Sequence, residues 1–517
     1  MARENRRKSA RRRATGLEQL PWRSLRNPYA PLEVLSTDQV ETIHDVSLRV
    51  LEEIGIEFLS ERALDLLAAA GARVDRSDKL VRFDRGLVAE LLAKAPASVT
   101  LTPRNPERRL ILGGNSINYS LVAGPPNVHD GVRGRRAGNY GDYCDLLRLT
   151  QSLNIIHCIG NQPVAPVELP AESRHLDCYR ANVTYTDRVY HCSAIGADRA
   201  LDGIEIAALA RGADRAALRD SPAVLTVISV NSPRRFDDAM ADGLIAMARC
   251  GQPVVVTPFT LMGAMTPVTL AAALVQQNAE ALAGIALAQA VRPGTPVVYG
   301  AFTSNVDMKS GAPAFGTPEN TKATLAAGQL ARRYRLPYRS SNSNASNAVD
   351  AQAAYESQMS IWAAVMGHAN MVYHGAGWME GGLTASFEKV VLDAEMLQMM
   401  AEVIAPLVVD ADTLGVEAIR DVGPGGHFFG TAHTLERYET AFYHPMLADW
   451  RNYETWQEAG ALDATQRATA IWQALLAAYE LPPLDPAAAE AIEAFIARRK
   501  EDIRRGRRRA DIEEDGE

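Results

Sequence analysis

Residues 336–382 read LPYRSSN (336–342), SNASNAVDAQAAYESQMSIWAAVMGHA (343–369) and NMVYHGAGWMEGG (370–382). Two short apolar strands each run out into a loop rich in Ser, Asn and Gly, and a helical run over 349–367 joins them. Parallel strands need a long crossover, so strand, helix, strand reads as a βα repeat. Its loops carry Asn342, Trp378 and Glu380.

The same unit recurs upstream. β-branched apolar stretches stand at 117–122, 154–160, 189–196, 222–231, 253–259 and 295–302, before the two at 336–341 and 370–377. Helical runs separate or follow them at 138–151, 172–186, 199–211, 234–250, 267–291, 318–334, 349–367 and 385–404. VVVTPF (254–259) and AVLTVISV (223–230) are continuous apolar runs, as expected for strands covered on both faces. Thr266-Pro267 marks a start for the fifth helix, and Gly251 and Gly294 mark stops. Eight units in series predict an α/β fold of TIM type, a (β/α)8 barrel over 116–404. An open doubly wound sheet is the competing fold, but no GxGxxG follows a strand.

The flanks differ in pattern. Residues 17–115 form an N-terminal α/β extension. Ser36 and Gln39 have capping-box spacing there, ahead of Val40, Ile43, Val46, Val50 and Ile54 at helical intervals. VTLTPRN (99–105) and RRLILGG (108–114) read as a hairpin-like pair. Residues 405–505 form a mostly helical C-terminal extension packed on the barrel, with helices at 463–480 and 486–505. Its Gly-, His- and aromatic-rich stretch at 421–445 carries His427 and His433, open to ligand closure, proton handling or a structural role. The basic stretch 1–16 is expected to be a disordered tail, the end of the last helix to fray, and 506–517 to be a charged tail.

A chain of 517 residues with 47% hydrophobic content can bury a large core, and a net charge of −8 gives no support to a nucleic-acid surface. Five cysteines without a CxxC pair indicate neither a disulfide framework nor a zinc knuckle, and fit a reducing cytoplasm. No uninterrupted apolar run reaches the ~18 residues of a membrane span. The arginine-rich N-terminus lacks the apolar stretch that a secretion signal requires.

In a β/α barrel the chemistry sits at the C-terminal ends of the strands. Those ends supply Asn161, Asn231, Phe259, Met262, Phe302, Ser341, Asn342, Trp378 and Glu380. The set is mostly amide, hydroxyl and aromatic, with one carboxylate and no lysine. Ring faces beside an anion suit a cation that has no N–H to donate, such as a quaternary ammonium. The bland alternatives are that Phe259, Phe302 and Trp378 fill the mouth and that Glu380 caps a nearby backbone. His157-Cys158 and His191-Cys192 read as core, because neighbouring strand residues face opposite ways and each pair offers one inward ligand. No nucleophile elbow, Walker A or HExxH is present, and no metal site is expected.

Several stretches together resemble the trimethylamine methyltransferase family: GPPNVHDGVRGRRAGNYGDYCDLLRL (124–149), the long block 230–284, DAQAAYES (350–357), AGWMEGGLTASFEKVVLDAEM (376–396) and GPGGHFF with HTLERY (423–438). The resemblance runs over roughly residues 25–480. It implies a β/α barrel that moves a methyl group from an amine to a Co(I) corrinoid carried on a separate small protein. No cofactor would then be bound tightly by this chain itself. Archaeal trimethylamine enzymes of the family carry pyrrolysine in the region corresponding to 341–349, where this chain has SNSNASNAV. Branches without pyrrolysine resemble demethylases of quaternary amines such as glycine betaine. The expectation is therefore a quaternary-amine methyltransferase, with a tertiary methylamine enzyme or a non-catalytic methylamine-binding barrel as alternatives. Its expected partners are a cognate corrinoid protein and further copies of itself, with no nucleic acid and no membrane. Glu380 and Asn342 are the candidate catalytic residues. Asn161, Asn231, Phe259, Met262, Phe302, Ser341, Trp378 and Arg339 are the candidate substrate contacts, Arg339 as counter-group to a carboxylate or as a bridge from barrel to helices.

Overall fold

The computed structural model describes residue 17 and residues 19–509. Eight strands run parallel: β1 Ser116–Leu121, β2 Cys158–Ile159, β3 Val189–Tyr190, β4 Thr226–Val230, β5 Val254–Met262, β6 Val297–Gly300, β7 Tyr338–Ser341 and β8 Met371–Ala376. A helix follows each: α1 Tyr140–Ser152, α2 Arg174–Tyr185, α3 Ala197–Ala210, α4 Asp238–Arg249, α5 Leu270–Val291, α6 Pro318–Arg333, α7 Ala351–Met366 and α8 Phe387–Val403. The ladder runs β3, β2, β1, β8, β7, β6, β5, β4. Between its two ends, His191 and Leu225 form a parallel bridge, and the Cys192 N–H donates to the Leu225 carbonyl at 2.8 Å.

Strand parity divides the interior in two. In β5, Val254 and Val256 join the large core between sheet and helices, whereas Val255 joins a smaller one on the opposite face. That smaller core gathers Cys158, Val189, Leu225, Val255, Val298, Met371 and Tyr373. The antiparallel pair Ser98–Leu101 and Leu110–Gly113 adds Leu101, Leu110 and Leu112 to it. On the outer side, α5 is apolar and long enough to cross a membrane by composition alone, but most of it is buried against β5 and its neighbours.

Local signals explain most element ends. The capping box at Ser36 and Gln39 opens a helix at Thr37. Gly251 and Gly294 hold φ of +69° and +84° just after α4 and α5, a region open to glycine. Other expectations need correction. β2 and β3 pair over only two residues each, although their apolar runs are several residues longer. α5 starts at Leu270 behind Thr269, so Pro267 lies before the helix rather than at its first turn. The last helix, α10 Pro486–Arg504 (α9 being Ala464–Ala477), is not frayed at its end: Arg499 is buried and pairs with Asp198 at 2.7 Å and Asp202 at 3.0 Å. The expected tail at 1–16 and the last residues of the expected tail at 506–517 lie outside the described residues.

The loops after β7 and β8 are bound to each other. The Trp378 indole N–H donates to the Asn344 carbonyl at 3.2 Å, and the Asn344 amide donates back to the Trp378 carbonyl at 2.7 Å. The Glu380 and Gly381 N–H groups reach the Ser346 and Asn344 carbonyls. Behind them, Lys389 and Asp393 form a fully buried ion pair on α8. Lys389 also donates to Ser357 at 2.7 Å, and Asp393 accepts the Gly377 N–H at 2.8 Å.

Candidate active site

At the C-terminal ends of β5 to β8 an aromatic cluster closes over the smaller core. Phe302 is its centre, with ring centroids 5.1 Å from Phe259, 5.4 Å from Phe315, 5.9 Å from Trp378 and 5.9 Å from His374. His374 and Trp378 approach to 4.0 Å. Two backbone features make this possible. Gly377 has φ +99°, and a Cβ there would meet Val390 at 2.7 Å, so only glycine turns the chain toward Trp378. β8 shifts register between Val372 and Ala376, and His374 sits at φ +54° in that irregularity. A bulge re-aims side chains, so Tyr373 and His374 are both drawn into the site although they are consecutive.

Arg339 lies beneath the rings. It pairs in register with Met371 of the smaller core, so strand alternation turns it inward. Its guanidinium carbon is 4.9 Å from the Tyr373 ring centroid and 5.4 Å from that of Phe302. The side chain is 2% exposed, its hydrogen bond to the Ala301 carbonyl is long at 3.5 Å, and its Nε has no partner. Among the described residues no carboxylate pairs with it, and burial pulls it down to about 10 from the usual arginine value. Protonated and unneutralised, it is a buried cation without a counter-charge, which is costly to enclose.

Polar groups on β5, on β8 and at the end of β7 with its following loop are also unmatched: Thr257 Oγ1, Ser341 Oγ, Ser343 Oγ, Asn342 Oδ1 and His374 Nδ1 are buried without a hydrogen bond. His191 accepts the Val227 N–H on Nε2 at 3.2 Å, which puts its proton on Nδ1, facing the Tyr373 hydroxyl. The Asn161 N–H donates to that same hydroxyl at 3.0 Å. With two donors on its oxygen, Tyr373 has its own O–H left to give. Burial and the Arg339 charge hold His191 down at about 3 and His374 well below the ordinary histidine value, so both are neutral. Burial pushes the Cys158 and Cys192 thiols up to about 12, which leaves them poor nucleophiles.

The sequence-predicted residues divide. Phe259, Phe302, Trp378, Arg339 and Ser341 are brought together. Met262 is buried at the end of β5, and Asn161 contributes its backbone N–H. Asn342 is buried beside the cluster, its amide donating to the Gly375 carbonyl at 2.9 Å. Asn231 stands apart: it is exposed and accepts the Asp237 N–H before α4. Glu380 points away toward a surface hairpin, where the Arg135 Nε donates to both of its oxygens at 3.0 Å. Sequence reasoning missed Tyr373, His374 and Phe315, and read His191 as core packing. A histidine before glycine inside a strand was the available signal for the bulge. The tail histidines His427 and His433 belong to the 405–445 segment, not to this cluster. Among the described residues no three His, Cys, Asp or Glu side chains gather as a metal site.

The comparisons with known proteins point to one family. The family model described as trimethylamine methyltransferase matches residues 2–504. A glycine betaine methyltransferase of Desulfitobacterium hafniense is 37% identical over 471 residues, which cover 91% of this chain and 98% of that protein. A trimethylamine methyltransferase, MttB, of the same species is 29% identical, covering 89% and 92%, and the MttB of Methanosarcina barkeri is 27% identical, covering 90% and 94%. In fold, the chain is similar to the Methanosarcina barkeri monomethylamine methyltransferase MtmB, with a TM-score of 0.52 at 8% identity over 94% of this chain and 91% of that one. A parallel α/β sheet of the MtmB kind, with a family match over nearly its whole length, places this chain in the trimethylamine methyltransferase family.

Proposed function

We propose that the chain demethylates a quaternary amine bearing a carboxylate, of the glycine betaine kind, and passes the methyl group to a Co(I) corrinoid on a partner protein. The observation that carries this reading is Arg339, a buried guanidinium without an acidic partner directly under an aromatic cluster. A betaine presents a permanent cation and a carboxylate one methylene apart. Its carboxylate would neutralise Arg339 and accept a hydrogen bond from the Tyr373 hydroxyl, while the trimethylammonium group would lie against Phe302, Phe315 and Trp378. Trimethylamine has no carboxylate and, when protonated, would set a second cation beside an unneutralised arginine. The 37% identity to a glycine betaine methyltransferase supports the same substrate class.

The corrinoid would supply the nucleophile, and this chain's residues would fix the substrate. Its donor set fits that division, since the raised thiols and the neutral, donor-bound His191 offer no nucleophile–base pair. The nitrogen–methyl bond breaks with its electron pair left on nitrogen, so a neutral tertiary amine departs and no proton is needed. Holding the carboxylate fixes the ammonium group in depth and direction, and the chain's share of catalysis is orientation. On this reading the bridge between His191 and Leu225 closes the eight strands into a barrel, and Glu380 with Arg135 forms part of its rim. Methyl transfer assayed with reduced corrinoid protein and glycine betaine, choline or trimethylamine tests it. Turnover of glycine betaine alone is expected; preference for either carboxylate-free amine would overturn it.

A further inference from the structure

Strands β3 and β4 share no ladder, only the bridge between His191 and Leu225. There the Val227 N–H goes to a side chain, His191 Nε2, at 3.2 Å, and the Thr226 hydroxyl stands 3.4 Å from the same nitrogen. A backbone N–H can only donate, so Nε2 must present its lone pair and the ring proton must lie on Nδ1. The main chain thus sets the tautomer of a buried histidine.

That Nδ1–H faces the Tyr373 hydroxyl, whose oxygen also accepts the Asn161 N–H at 3.0 Å. Two donors occupy its lone pairs, and among the described residues nothing accepts from its O–H. Burial pushes the phenol above its usual range, so the proton stays in place. Donors on an oxygen also polarise its O–H, which strengthens the bond that the O–H gives. The Arg339 guanidinium carbon lies 4.9 Å from the Tyr373 ring centroid, so the free O–H and the unpaired cation share one end of the site.

We infer that His191 is a specificity-determining positioning residue: by holding Tyr373 as a donor alone, it shapes that end of the site for a carboxylate. The inference rests on the carboxylate-bearing substrate proposed above and names what selects the anion. A tyrosine free to rotate its hydroxyl would accept from an N–H cation as well as donate to an anion, and would separate the two poorly. With both lone pairs filled, the same hydroxyl gives an ammonium N–H nothing to bind. One residue then serves twice: its backbone bridges β3 to β4, and its ring orients the tyrosine.

Calorimetric binding to the full chain tests this with three probes. Glycine betaine is the first. The second, tert-butylacetate, keeps its shape and carboxylate without the positive charge, and the third, tetramethylammonium, keeps the charge without the carboxylate. A charge-assisted hydrogen bond is worth about 10-fold in affinity. His191→Leu should weaken both carboxylate probes by about that factor and leave tetramethylammonium unchanged. Tyr373→Phe should do the same, and His191→Leu added to it should cost nothing further. His191→Asn, which keeps an N–H near the Nδ1 position, should recover most of the loss. Nitrogen NMR of histidine-labelled wild type should show an Nδ1–H imidazole that His191→Asn removes, a readout that stands even where His191→Leu fails to fold. Unchanged carboxylate binding in His191→Leu, equal weakening of all three probes, additive losses in the double variant or a proton on Nε2 would each overturn the inference and leave the proposed substrate standing. A wild type that binds tetramethylammonium as tightly as glycine betaine would instead overturn the substrate reading, and the inference with it.

Discussion

Enclosing the Arg339 guanidinium without a carboxylate destabilises the free protein. At neutral pH the group is protonated in both states. A displacement from the ordinary arginine value down to about 10 corresponds to a cost of roughly 3 kcal/mol, which would fade only as pH rose above about 10 toward that ordinary value. Arg339→Met should therefore raise the melting temperature of the ligand-free chain while lowering kcat/KM for glycine betaine by about 100-fold or more, a change of ~3 kcal/mol. Calorimetry beside the transfer assay separates the roles: a purely structural arginine would lose stability on replacement. Trp378→Leu removes a ring face and should raise KM for a quaternary amine about 10-fold, near the strength of a desolvated cation–π contact. Saturation kinetics check this, and an unchanged KM would remove Trp378 from the site. At this scale the sequence was partly legible. Phe302 and Trp378 could be placed by counting to strand ends, whereas Arg339 could be put on the seventh strand but its direction follows only from its register with Met371 of the smaller core. Tyr373 and His374 could not, because alternation forbids consecutive inward residues and only the β8 bulge permits them.

The element that sets the site is the pair of loops after β7 and β8, and its support comes from α8. Asp393 holds the Gly377 N–H, and Lys389 neutralises Asp393 within a fully buried setting. Removing one partner leaves a buried charge, so Lys389→Met should cost about 3–5 kcal/mol of stability, measured by denaturant unfolding. It should also weaken substrate binding, because Gly377 and Trp378 lose their anchor. A loss below ~1 kcal/mol would show that the pair does not hold the loop. Sequence periodicity located α7 and α8 to within about two residues, since their apolar pattern is local. It could not show that the polar loops bind each other, because Asn344 and Trp378 are far apart in sequence and meet only in the folded chain.

For the whole molecule, three buried histidines set the acid limit. Burial holds His157 and His191 at about 3, against an ordinary 6.5, and His374 well below its ordinary value. Below pH 6.5 the unfolded chain binds protons that the folded chain refuses, so stability falls as pH falls. Between pH 7 and pH 5, His157 and His191 together should cost about 4 kcal/mol. Melting curves across that range should show the drop, and His157→Gln should shrink it; a flat profile would contradict the burial. The eight-unit repeat was readable because each strand and helix carries its own apolar pattern. The exposed apolar residues of 406–445 and of α7 were not: composition records how many apolar residues a chain has, not which of them the fold leaves uncovered.

The most direct measurement is methyl transfer by the purified chain to a reduced cognate corrinoid protein, comparing glycine betaine, choline and trimethylamine for the wild type and for Arg339→Met. The account predicts transfer from glycine betaine in the wild type, its loss of about 100-fold or more in the variant, and little transfer from choline or trimethylamine in either. Equal or faster transfer from trimethylamine, or betaine turnover indifferent to Arg339, would contradict it.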